Sequence, residues 1–154
     1  MEYKEAEKVV KFYNQIDAEI KLNMKWHKDI DDNYYSGVGA QVIDDMPHAQ
    51  NKTTSPTELI ALTVPDGIRQ QQEEIQQRIK DLCACRAAIH DEIDGLSTTE
   101  KTVITLFYHE GMKWERIKSQ VHYSIRQCKN IRRHGIYILA HRFESNKAIK
   151  KIFP

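Results

Sequence analysis

Ile68, Ile75, Ile79, Leu82, Ile89, Ile93 and Leu96 recur in one heptad register, interrupted only by Gln72 and Arg86. Apolar residues alternating three and four positions apart cannot share a face of a strand, where side chains alternate with period two. They share one stripe of an α-helix. The spacing therefore predicts a single long helix over 68–96, with Gln, Glu, Lys and Arg in its outer positions. Four heptads of seam need a second apolar stripe to cover them, which predicts a coiled coil. Two covers are open: an earlier helix folded back antiparallel, or a second subunit, and the regularity of the seam favours a homo-oligomer through this helix. A polar seam residue such as Arg86 would fix register or oligomeric state. Cys83 and Cys85 would flank the seam on different sides as packing residues.

A candidate cover exists upstream. Over residues 2–30, Ala6, Val9, Tyr13, Ile16 and Ile20 repeat at helical spacing, with Val10 and Met24 beside them. From 31 to about 66 the periodicity fails among turn and breaker signals: Asp31-Asp32-Asn33, Gly37, Gly39, Met46-Pro47 and Pro65-Asp66-Gly67. This predicts an irregular connection. A short helix inside it is suggested by Ser55-Pro56-Thr57-Glu58, since Ser caps and Pro suits a first helical position. The fold class expected is all-α, with a helical region over 1–95 and a second domain over 96–154.

The net charge of +1 conceals an uneven distribution. Residues 1–45 carry six Lys or Arg against ten Asp or Glu, and residues 46–95 five against eight. Residues 96–123 are nearly balanced, four against three. Residues 124–154 carry eight against one. Such a basic end suits a polyanion, and the acidic remainder suits solvent or a protein partner. No apolar run approaches the ~18 residues of a membrane span, and MEYKEAEKVV lacks the build of a signal peptide, so no membrane partner and a cytoplasmic location are expected. Three cysteines, two of them one residue apart, make no disulfide framework and imply reduced thiols.

Residues 96–143 read as three helices with short punctuation. Ser97-Thr98-Thr99-Glu100 is a capping-box pattern, and Val103, Ile104, Leu106 and Phe107 follow as an apolar face up to a stop at Gly111. A helix of two turns begins near Lys113 and places Trp114, Ile117 and Val121 on one side, with Trp114 and Phe107 expected in the core. His122-Tyr123 forms a turn, and Ser124 caps a third helix. There Cys128, Ile131, Ile138 and Leu139 face inward while Arg126, Lys129, Arg132 and Arg133 decorate the outside. Short helix, tight turn and capped basic helix is the pattern that puts a recognition helix into a DNA major groove.

This stretch resembles the C-terminal promoter-reading domain of bacterial sigma factors, and the chain as a whole resembles the RinA-like and ArpU-like transcriptional regulators of phages and integrated elements. The matching positions are Leu96 and Glu100, Glu110-Gly111, Glu115 with Ile117, Ser124 and Leu139, joined by Trp114-Glu115-x-Ile117 and Tyr123-Ser124-x-Arg126-Gln127. It departs from the sigma pattern in Arg116 between Glu115 and Ile117, in Lys118 for the usual alanine, and in Gly135 inside the third helix. The resemblance implies a sequence-specific regulator of double-stranded DNA, an activator of late or packaging genes, with RNA polymerase as a further partner. It makes the early positions of the third helix the base readers. Arg126 or Lys129 would take guanine O6 and N7, Asn130 would pair with adenine, and Ile125 would touch a thymine methyl. Arg132 and Arg133 would meet phosphates, and Ser124 would bond a phosphate at the helix N-terminus.

Two other classes are open to such a chain. A small packaging-initiation subunit also joins a DNA-binding helix pair to a coiled coil, though usually in the reverse order. A pure interaction protein would grip RNA polymerase or a sigma factor without reading DNA. No enzyme, cofactor or metal is expected: the seven histidines are scattered, His90-Asp91-Glu92 is an isolated triplet, Cys83 and Cys85 lack a second pair at zinc spacing, and Gly37 and Gly39 lack the lysine of a phosphate loop.

Overall fold

The structure, a computed structural model, describes residues 1–39 and 65–154, with side chains 35–39 left aside. The short helix suggested at Ser55, and most of the connection expected over 31–66, lie outside the described residues. Everything regular among the described residues is helical: α1 (Tyr3–Gly39), α2 (Asp66–Asp94), α3 (Thr98–Ile104), a π-helical turn (Thr105–His109), α4 (Trp114–Val121), α5 (Ile125–Ser145) and α6 (Lys147–Ile152). No described helix is long and apolar enough to cross a membrane. The chain divides into two compact units, one of Met1–Ile20 with Lys80–Pro154 and one of Lys21–Ile79.

In the second unit, α1 continues through the breaker signals at Asp31, Asp32 and Asn33 and is helical as far as Gly39. Helical partners explain the difference. Asp31 pairs with His27 one turn back, at 3.6 Å, and accepts a hydrogen bond from Gln72 of α2. Gln76 meets His27 at 3.0 Å, so the two helices run antiparallel here. The seam residues Ile68, Ile75 and Ile79 are only half-buried, and Leu22, Met24 and Trp26 of α1 are exposed.

In the first unit the same two helices again pair antiparallel. Arg86 meets Asp17 at 3.2 Å, and the His90 ring stacks on Tyr13 with centroids 6.4 Å apart. Leu82, Cys85, Ile89, Ile93 and Leu96 are buried, as are Ala6, Val9, Val10, Ile16 and Ile20 of α1. The seam thus passes through Cys85, and Arg86 stands outside it on the surface. A strict heptad assigns Arg86 to the seam, but a straight α-helix drifts by about 20° per heptad from that repeat, and here the drift brings Cys85 inward. These seam residues are buried within one chain, so this part of the seam needs no second subunit to cover it.

The small helices pack on α5. Val103, Leu106, Ile117 and Cys128 form a buried cluster, with Phe107, Met112, Trp114, Val121 and Ile131 half-buried around it. Phe107 and Trp114 therefore wall the core instead of filling it. Inward on α5 lie Ile136, Leu139, Ala140 and Phe143, whereas Ile138 is half-buried and Tyr137 is exposed. Gly135 does not break α5. A Cβ there would sit 2.6 Å from Ile104 Cδ1 and 3.5 Å from Glu100 Cβ, so the missing side chain is what lets α3 and α5 cross closely.

This crossing generates a prediction. In an open helix Gly→Ala stabilises by about 1 kcal/mol. Gly135→Ala should instead destabilise by roughly 1–3 kcal/mol, because Ile104 is fully buried and cannot swing its methyl away. Ile104→Val removes the clashing atom, so the double variant should be more stable than the sum of the two single losses allows. Thermal denaturation of the four proteins measures this coupling.

Candidate nucleic-acid interface

Local hydrogen-bond codes set the two helices that frame the site. At α3, Ser97 Oγ accepts from the Glu100 N–H, and the Glu100 carboxylate accepts from the Ser97 N–H at 3.2 Å and its hydroxyl at 2.7 Å, a complete capping box. Glu100 also meets His134 Nδ1 of α5 at 2.5 Å. Burial works to raise the carboxyl's pKa, but the bonds from Ser97 and His134 outweigh it, and the net shift is downward. The carboxylate thus joins the start of α3 to the middle of α5.

Helix α3 then widens into the π turn, where Glu110 N–H reaches Thr105 C=O at 3.0 Å. The ladder is closed from outside by α1. Asn14 Nδ2 donates to the carbonyls of Tyr108, at 2.9 Å, and His109, at 3.3 Å. Tyr108 donates its hydroxyl to Glu7 at 3.1 Å, and His109 stacks on Tyr13 with centroids 4.7 Å apart. Burial holds the His109 pKa below its ordinary value, aided by His90 and opposed by Glu110. Its Nε2 is buried without a hydrogen-bond partner. Gly111, at φ 63°, ends the element in the left-handed region, where glycine is free of the Cβ penalty.

Helix α4 ends on His122, also left-handed at φ 58°, with its N–H on Lys118 C=O at 3.0 Å. Only His122, Tyr123 and Ser124 separate α4 from α5. Ser124 starts α5 with a second capping box: its Oγ accepts from Gln127 N–H, while Gln127 Oε1 accepts from the Ser124 N–H and hydroxyl, each at 3.0 Å. The Ser124 hydroxyl proton is thus engaged within the box, leaving a phosphate the free backbone N–H groups of the first turn.

Of the positions read as DNA contacts, Ser124, Arg126, Lys129, Asn130 and Arg133 are exposed and Ile125 is half-buried. At about 100° per residue, Arg126, Lys129, Asn130 and Arg133 fall within an arc of roughly 100° on the outer side of α5. Arg132 does not join them. It lies one turn from Cys128 and two from Leu139, on the inward side, with its guanidinium carbon 4.9 Å from the centre of the Phe107 ring, 5.5 Å from Trp114 and 6.0 Å from Tyr108. Its Nε is buried without a hydrogen-bond partner. Phe107 and Trp114 stack at 4.4 Å to form this seat, a cation–π arrangement worth about 0.5–2 kcal/mol. Lys129 Nζ approaches the same tryptophan at 5.9 Å. Sequence counting missed the seat because it scored Arg132 as charge alone, although its spacing from Cys128 and Leu139 placed it inward.

No protein-family model, curated protein or solved structure matches this chain. Among the described residues no three His, Cys, Asp or Glu side chains are grouped to hold a metal ion.

Glu100 and His109, both shifted downward, predict acid sensitivity with a defined sign. Glu100 is depressed from 4.5, so its contribution is complete above that value and lost as pH falls through the folded pKa. His109 is depressed from 6.5, so the unfolded chain binds its proton first and stability begins to fall below that pH. Denaturant titrations from neutral to acid pH should show both steps. His109→Phe should abolish the upper one and Glu100→Gln should shrink the lower, to which Glu7, also held below its ordinary value, contributes. An unchanged profile in either variant would show that its group is not responsible.

Proposed function

We propose that the chain is a DNA-binding transcription regulator of the phage or integrated-element type, with α4, the three-residue turn and α5 acting as a helix-turn-helix. The observation that carries this reading is the exposed arc of Arg126, Lys129, Asn130 and Arg133 on the first turns of a capped helix. A major groove admits one helix, and these side chains can form the bidentate contacts that distinguish bases: Arg or Lys with guanine, Asn with adenine. Ile125, half-buried at the first helical position, suits a thymine methyl. The first-turn N–H groups beyond Ser124 favour a phosphate, because the helix dipole and orphan donors point there together. Arg133 lies further along the helix, where a contact to the backbone is expected.

Arg132 takes a supporting role in this scheme. Seated on Phe107 and Trp114, it ties α5 to the π turn and to α4, and so fixes how far the reading arc projects. The N-terminal helices would serve as a coiled-coil scaffold, and the acidic charge of residues 1–95 keeps them off DNA and available to a protein partner such as RNA polymerase.

Titration of variants against cognate and scrambled duplexes at several salt concentrations tests the assignment. Arg126→Ala should cost roughly 1–3 kcal/mol on the cognate site and relax preference at one base pair. Arg133→Ala should weaken all duplexes alike and lower the logarithmic salt slope by about one. Arg132→Met should reduce thermal stability with a smaller change in slope than Arg133→Ala. Equal losses for Arg126→Ala on every duplex would remove base reading by that residue, and no loss for Arg126→Ala or Arg133→Ala would remove DNA binding by α5.

A further inference from the structure

The second unit leaves one face of α1 with unusual chemistry. Leu22 is 41% exposed and Trp26 50%, on a helix whose opposite side carries His27 and Asp31 toward α2. At about 100° per residue, Lys21, Leu22, Lys25, Trp26, Asp29 and Asp32 share an arc of roughly 140° centred away from α2. The four charged residues are exposed and make no ion pair among the described residues. Their order matters. Within the arc both lysines precede the tryptophan and both aspartates follow it, with Lys28 about 20° beyond its edge, so the strip is positive at one end around Leu22 and negative at the other, with Trp26 between.

A strip of that kind is complementary to itself turned end for end. We infer that this face of α1 is where a second copy of the chain docks, antiparallel about a two-fold axis at the level of residue 27 along the helix. In that arrangement Lys25 lies opposite Asp29 of the second copy, Lys21 falls within a turn of its Asp32, and the two Trp26 rings meet near the axis. A two-fold contact uses the same patch on both partners and repeats each pair, so each complementary charge counts twice. Like charges would face one another if the copies docked parallel, which selects the antiparallel direction. The strip is about 18 Å long and falls short of the ~800 Å² per partner of a standard interface. The association is therefore weak, concentration-dependent and loosened by salt. Here the oligomer forms through the outer face of α1 and leaves the α2 seam in place. Docking of this face is independent of whether the chain binds a duplex.

Sedimentation of the full chain over the micromolar range tests it. The wild type should pass from 18.0 kDa toward twice that mass as concentration rises. Lys25→Asp and Asp29→Lys should each weaken self-association at least tenfold, because each variant sets like charges together at both sites. Circular dichroism checks that both keep their helix content. Mixing the two variants should restore the dimer, since the heterodimer regains an opposite pair at each site. Trp26→Ala should weaken the dimer and leave the monomer folded. A wild type that stays at 18.0 kDa throughout, variants that dimerise as well as it does, or a mixture that stays monomeric would each overturn the inference.

Discussion

The close crossing of α3 and α5 is the constraint on which the first unit depends. It exists because position 135 has no side chain and Ile104 occupies the space instead. One turn away the contact changes character, where Glu100 meets His134 and also holds the start of α3 through Ser97. A tight apolar contact and a charged hydrogen bond thus fall side by side. The first fixes the distance between the helices, because buried side chains have little room to move. The second resists sliding, because displacement would leave a buried carboxylate short of a partner.

Around this crossing, charge is sorted by position more than by number. The last thirty-one residues hold eight cations, yet several are engaged internally: Arg132 lies over rings, Arg142 donates to the Glu92 carbonyl at 3.4 Å, and Lys151 pairs with Asp81 at 2.8 Å. What α5 offers outward near its start is a smaller set of Arg126, Lys129 and Arg133 beside Asn130. A small set in a fixed arc discriminates better than a diffuse positive end, which attracts any polyanion.

How much of this was legible in the sequence follows from how local each determinant is. Both capping boxes are written within four residues: the Ser97 box and the Ser124 cap were read from the sequence, while the return bond from Gln127 came with the structure. The all-helical class was equally plain, since a heptad seam has no other reading. The seam's true course through Cys85 was not, because drift accumulates with length and only packing against α1 reveals it. Asp31, Asp32 and Asn33 resemble a stop until His27 and Gln72 are seen to hold Asp31. The π turn was invisible because the side chain that supports it, Asn14, lies 94 residues from the carbonyl it grips. For the proposed interface, helical spacing gave the exposed arc of α5 and already set Arg132 outside it, but the ring seat that holds Arg132 appears only in the packed structure.

That π turn has a consequence for the phase of the chain. A π turn holds one residue more than the α-helical turn it replaces, so every position after it is set back by about 100° from where an uninterrupted helix of the same numbering would carry it. Within 105–109 the surplus residue behaves as an insertion that the helix has absorbed without a loop. Deleting one residue there would let the ladder close as ordinary α-helix, withdraw the carbonyls of Tyr108 and His109 from Asn14, and turn the exit at Gly111 by the same angle. In any chain aligned with this one, a one-residue gap in that stretch is therefore a difference in rotation, and residues beyond it that match by letter would face another way.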